Sequence, residues 1–208
     1  MTENYEDRAR RGGADAVHDI GRFFAGGDAV HLALKKIAGR LDALAIPYAV
    51  VGGMALNAHG YRRATVDVDV LVTSEGLSEI HRKLEGLGYL PPFKDSKHLR
   101  DTENGVKIEF LVTGGFPGDG KPKPVAFPDP ANVGVVVEGI RYVNLETLLE
   151  MKLASGMSNP ARRKDLADVQ EVIKELKLDS AVAERLNPYV RPMYAQLWKE
   201  VDESPRGD

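Results

Sequence analysis

Apolar residues recur at three- and four-residue spacing from Val30 through Leu34, Ile37, Leu41 and Leu44, the period of a helix with one face in a core. Asp28 stands where the N-cap of that helix would fall, and Pro47 ends the pattern. Tyr48-Ala49-Val50-Val51 then reads as a short buried strand, followed by Gly52-Gly53 and a helix-compatible stretch from Met54 to His59. From Val66 to Val72 the period changes to two, which predicts a second strand. Thr73 or Ser74 caps a helix whose apolar positions are Leu77, Ile80, Leu84 and Leu87. Residues 97–112 read as a hairpin turning at Asn104-Gly105, and residues 135–143 as a smaller one about Glu138-Gly139. Beyond residue 144 the helical period returns over about 145–155, about 160–176 and about 180–201. Asn159 and Pro160 open the second of these helices, and Pro188 and Pro192 break the third.

This order predicts a mixed α/β half followed by a helical half. The expected boundaries are a flexible arm over 1–28, an α/β core over 29–143, and a helical region packed on it over 144–208. Within the arm, Val17, Ile20 and Phe24 are spaced for one amphipathic turn. Residues 114–130 hold four Gly and five Pro, and read as a loop that is either ordered by contact or mobile. A length of 208 residues suits one core with a helical appendage. With 28 basic and 31 acidic residues the net charge is −3, which excludes attachment to nucleic acid or an anionic membrane by bulk charge alone. The absence of cysteine excludes disulfides, thiolate zinc sites and a cysteine nucleophile. No apolar run approaches the length of a membrane span and the first residues are polar, so the expected location is the cytoplasm, without membrane contact.

The chemistry concentrates on Val66-Asp67-Val68-Asp69-Val70-Leu71-Val72. Strand alternation puts the valines on one face and Asp67 with Asp69 on the other. Two carboxylates held side by side repel, and a divalent cation between them is the simplest remedy; a wet strand face is the plain alternative. In the strand Val106–Val112, Glu109 has the parity to join them if the two strands are neighbours, although it reads equally as a solvent-facing residue paired with a base. Three carboxylates on adjacent strands suit a two-metal site for phosphoryl transfer. Gly52-Gly53, at the end of a strand and the start of a helix, permits close approach of backbone N–H groups to an anion, or makes only a tight turn. Further on, Lys152 shares the stripe of Leu145, Leu148 and Leu149, while Asp165 lies within the apolar arc of the next helix and Asp168 at its flank. A charge on such a stripe needs a partner or a function. Either Lys152 and Asp165 form a structural ion pair, or Lys152 faces phosphate with Asp165 orienting it.

Val51-Gly52-Gly53-Met54-Ala55-Leu56 and His59-Gly60-Tyr61-Arg62-Arg63-Ala64-Thr65-Val66-Asp67-Val68-Asp69, with Lys152 and Lys164-Asp165-Leu166-Ala167-Asp168 downstream, resemble the DNA polymerase beta-type nucleotidyltransferase superfamily. The likeness covers roughly residues 47–172 and is closest to small bacterial abortive-infection-type nucleotidyltransferase toxins. It implies a small mixed nucleotidyltransferase-type sheet flanked by helices. It also implies transfer of a nucleoside monophosphate from a nucleoside triphosphate to a hydroxyl acceptor such as RNA, tRNA, a protein or a small molecule. Asp67, Asp69 and Glu109 would hold two magnesium ions. Gly52, Gly53, Met54, Arg63, Lys152 and Asp165 would surround the nucleotide, with Lys152 also catalytic. Two departures stand out: Met54 occupies the position where the family places Ser or Thr, and the third acid is Glu where Asp is usual. Two further readings follow, a catalytically degenerate nucleotide- or metal-binding member and a toxin–antitoxin partner protein.

Overall fold

The computed structural model describes residues 4–10, 19 and 21–204; Val17 and Ile20 of the expected amphipathic turn lie outside the described residues. A short helix α1 (Tyr5–Arg10) precedes α2 (Ala29–Ala43). Helix α2 buries Val30, Leu34, Ile37 and Leu41, as its period requires, and Asp28 Oδ1 accepts the His31 N–H at 2.9 Å as the cap. Tyr5 and Phe23 are buried in the same hydrophobic core. Strand β1 (Tyr48–Val51) is buried at every position and runs into α3 (Gly52–Ala58), which starts at the first glycine rather than at Met54. Strand β2 (Asp67–Val72) is followed by α4 (Ser74–Leu84), capped by Thr73, whose Oγ1 accepts the Gly76 N–H.

The predicted hairpin is β4 (His98–Asp101) with β5 (Lys107–Val112), and β4 also pairs with a two-residue strand β3 (Tyr89–Leu90) that the sequence did not announce. After the Pro/Gly loop, α5 (Pro130–Val133) leads into the hairpin β6 (Gly134–Val137) and β7 (Ile140–Val143). Its turn places Glu138 and Gly139 both at positive φ, the two-residue geometry that matches strand twist. The seven strands form one mixed sheet in the order β3-β4-β5-β2-β1-β7-β6. Strands β1 and β2 are antiparallel while β2 and β5 are parallel, which puts the two acidic strands side by side at the centre.

Helix α6 (Leu145–Ser158), a 3-10 turn (Pro160–Arg162) and α7 (Arg163–Glu175) follow, with α6 and α7 packed on each other. The last expected helix is two, α8 (Val182–Arg185) and α9 (Arg191–Glu203). Pro188 lies in the gap, but Pro192 falls in the first turn of α9, where the missing N–H costs no hydrogen bond. The 114–130 loop is ordered by contact. Across its base the Gly114 N–H donates to the Phe127 carbonyl and the Phe127 N–H to the Gly115 carbonyl, and Asn159 and Asn187 donate to the carbonyls of Gly118 and Pro124. No helix among the described residues is long and apolar enough to cross a membrane.

Candidate active site

The site forms where β1 turns into α3. Gly52 has φ +63°, a conformation that L side chains rarely adopt, and a Cβ there would lie 1.9 Å from Asp69 Oδ2. A Cβ on Gly53 would meet Thr65 Cβ at 2.7 Å. The two glycines therefore make room for an acid and a hydroxyl on the neighbouring segment, a steric demand beyond any phosphate cradle. Asn57 fixes that segment: its Nδ2 donates to the carbonyls of Gly53 and Arg63, and its Oδ1 accepts the Arg63 N–H. Thr65 Oγ1 then donates to Asp67 Oδ1 at 2.8 Å.

On β2, Val68 and Val70 are buried, whereas Asp67 and Asp69 stand half-buried on the opposite face. Register brings Glu109 of β5 directly beside Asp69, and Lys107 beside Asp67. Asp67, Asp69 and Glu109 line one cleft with Gly52 and Gly53. Burial pushes the Asp69 carboxyl up to about 7, reinforced by the negative charges of Asp67 and Glu109 and opposed by Lys152 and Lys107. Lys107 Nζ donates to Glu109 Oε2 at 2.5 Å. As placed, no three acid or histidine side chains among the described residues share a metal-holding geometry. The donor set nonetheless fits hard divalent cations, because Asp67, Asp69 and Glu109 present carboxylate oxygens from adjacent strands.

Lys152 is buried, with Nζ 3.0 Å from Asp165 Oδ1 and 2.7 Å from Asp168 Oδ2. Ser155 Oγ donates to Asp165 Oδ2 at 2.7 Å, and Arg63 Nη1 lies 3.2 Å from Asp168 Oδ2. Burial alone would raise the Asp165 carboxyl; the Lys152 charge and the hydrogen bonds from Ser155 and Lys152 outweigh it and hold it below the usual carboxylate range. The sequence pointed to the Lys152–Asp165 pair, and the structure extends it to Asp168 and Arg63. This network lies beside the acids, because Lys152, Asp165 and Arg63 line the same cleft.

Of the residues expected at the site, Met54 alone is absent from the cleft wall; it is 3% exposed and packed in the core. Ser155, Arg162 and Phe127 line the cleft without having been singled out, and Thr65 and Lys164, quoted within the motif stretches but given no role, line it too. Thr65 was within reach of strand parity, standing two residues before Asp67. Phe127 was not, since only the folded loop carries it there. The cleft has cations and acids at one end and Leu111, Phe127, Leu148 and Met151 as an apolar wall. The cleft is open to solvent, with a cavity volume of about 150 Å³.

The site thus sits on a mixed seven-stranded sheet flanked by helices, with two acids on one central strand, a third on its parallel neighbour and a glycine turn at the adjoining strand end. No protein-family model matches the chain, and no curated protein sequence does. Among solved structures, the antibiotic-resistance factor ANT(2'')-Ia in solution is similar, at 17% identity and a TM-score of 0.52, over 82% of this chain and 95% of that one. Its crystal structure in complex with adenylyl-2''-tobramycin aligns at 15% identity and a TM-score of 0.49, over 81% and 97% of the two chains. An antigenic nucleotidyltransferase-like protein from Paracoccidioides brasiliensis aligns at 16% identity and a TM-score of 0.49, over 83% and 88%. At these identities the likeness is one of fold.

Proposed function

We propose that the protein transfers a nucleoside monophosphate from a nucleoside triphosphate to a hydroxyl acceptor. The acceptor oxygen bonds to the α-phosphorus, the bond from that phosphorus to the oxygen bridging to the β-phosphate breaks, and pyrophosphate leaves. The observation that carries this reading is the side-by-side placement of Asp67, Asp69 and Glu109 at the glycine turn. Asp67 and Asp69, with Glu109, would hold magnesium, which when bound supplies positive charge against the triphosphate. Thr65 orients Asp67 through its hydroxyl. Glu109 positions the acceptor hydroxyl and receives its proton. Gly52 and Gly53, which make room for Asp69 and Thr65, would offer backbone N–H groups to phosphate, and Arg63 and Lys152 line the same wall. Catalysis on this account is positioning and charge neutralisation.

The resemblance of the Gly52-Gly53 and Asp67/Asp69 motifs to those of abortive-infection-type toxins makes cellular RNA or a cognate protein the first acceptors to try. The pairing of Lys107 with Glu109 favours a second reading, a member that binds nucleotide without transferring it. Calorimetry with each nucleoside triphosphate separates both from a non-nucleotide role. Binding should require magnesium and vanish in Asp67→Asn/Asp69→Asn. Magnesium-independent binding that survives the double substitution contradicts the site.

A further inference from the structure

The open face that carries the acids continues past β5 to the sheet edge. Two rows cross it by register: Asp69, Glu109 and His98, then Asp67, Lys107, Arg100 and Leu90. A second cleft, lined by Leu90, Pro91, Pro92, His98, Arg100 and Lys107, lies along these rows. It shares a strand face with the acids, and Arg100 is two strands from Asp67, about 10 Å at the usual strand spacing. Its cationic groups are Arg100 and Lys107. Both bonds given by Arg100 leave from Nη1, to Glu6 and to the Gly105 carbonyl, while Lys107 is held by Glu109. The His98 ring makes no hydrogen bond among the described residues and packs at a right angle to Phe93, itself 64% exposed. Leu90 is also exposed, so cations and an uncovered aromatic and proline platform stand together.

We propose that this second cleft is the acceptor subsite, and that it takes a hydroxyl acceptor bearing a phosphate and a planar base. This rests on the transfer reading above. Arg100 and Lys107 would hold the phosphate, Phe93 would stack with the base, and the acceptor hydroxyl would reach the acids across β5. Guanidinium pairs with phosphate through geometry as well as charge. A ring open on one face binds bases with little sequence preference. A polycationic aminosugar would meet two fixed cations instead, so this face selects against it.

The test uses the full chain and a fluorescent RNA decamer with a free 3′-hydroxyl, read by anisotropy without triphosphate. Its Kd should rise about fivefold between 50 and 150 mM salt, as for two phosphate contacts on a single strand. Arg100→Gln should weaken binding and reduce the salt slope by about half. Phe93→Ala, at an exposed ring whose loss threatens no core, should weaken binding at least about fivefold. Both variants should keep magnesium-dependent triphosphate binding. Competition by a nucleoside 5′-monophosphate at similar strength assigns the subsite to small phosphorylated acceptors; much weaker competition assigns it to a strand end. Unchanged RNA binding in both variants overturns the proposal, as does transfer to tobramycin in preference to RNA and mononucleotide. RNA binding that fails while triphosphate binds overturns the subsite alone. Triphosphate binding that fails while RNA binds overturns the transfer reading, and with it the subsite's role.

Discussion

Met54 and Thr65 show how side-chain placement changes the meaning of a sequence position. From the sequence, Met54 stands where a hydroxyl is expected, so a serine there would be thought to tighten phosphate binding. The structure buries Met54 in the core instead, away from the cleft wall. Met54→Ser should therefore lower stability by about 2–5 kcal/mol, as core truncations of this size do, and leave triphosphate affinity per folded molecule unchanged. Thermal melts with binding measured on the folded fraction check both. The hydroxyl in the cleft is that of Thr65, bonded to Asp67 Oδ1. Thr65→Val keeps the bulk above Gly53 and removes a bond to a charged group, a loss of about 1.5–3 kcal/mol in holding Asp67. Magnesium affinity should fall accordingly and return in Thr65→Ser, whereas equal affinity in both variants would deny Thr65 its orienting role. Parity along 65, 67 and 69 was legible in the sequence; the contact with Gly53 was not, because it joins segments on two different elements.

At the scale of elements, the network between α6 and α7 ties the helical half to the site. Lys152 faces two buried acids, so removing its charge leaves Asp165 without its cation and Asp168 with Arg63 alone. Lys152→Met should cost about 3–5 kcal/mol of stability, seen as a large drop in Tm. A near-normal Tm would mean that neighbouring cations such as Arg63 take over. Asp165 adds a pH dependence of defined sign. Its carboxyl is held below its ordinary value in the folded state, so the stability it contributes is present above about pH 4 and is lost as pH falls through the folded value. The stability gap between wild type and Asp165→Asn should therefore shrink on acidification below about pH 4. A gap that stays constant from pH 7 to pH 3 contradicts the pairing. The helices and central strands of this arrangement were legible because their periods are clean and long. Strand β3 and the split of the last helix were not: a two-residue strand has no period, and a proline in a first turn resembles a break until the helix start is known.

For the whole molecule, the fold follows from the chain's order of strands and helices, and strand parity places the acids on one face. What parity alone does not give is order across the sheet. The parallel pairing of β2 with β5, which seats Glu109 beside Asp69, is a product of the whole topology. The same topology gathers repelling carboxylates, so the site is held at a cost in stability. Asp67→Asn/Asp69→Asn should raise the unfolding free energy in magnesium-free buffer by on the order of 1–3 kcal/mol, measured by denaturant titration. Destabilisation instead would assign the acids a structural role. The central claim is the transfer itself, and position-specific labelling tests it directly. A nucleoside triphosphate labelled at the α-phosphate is incubated with magnesium, RNA and the protein, in parallel with one labelled at the γ-phosphate. The α label should become covalently attached to acceptor and the γ label should leave as pyrophosphate, both lost in Asp67→Asn/Asp69→Asn. Release of γ label as orthophosphate, or its attachment to the acceptor, would contradict the account.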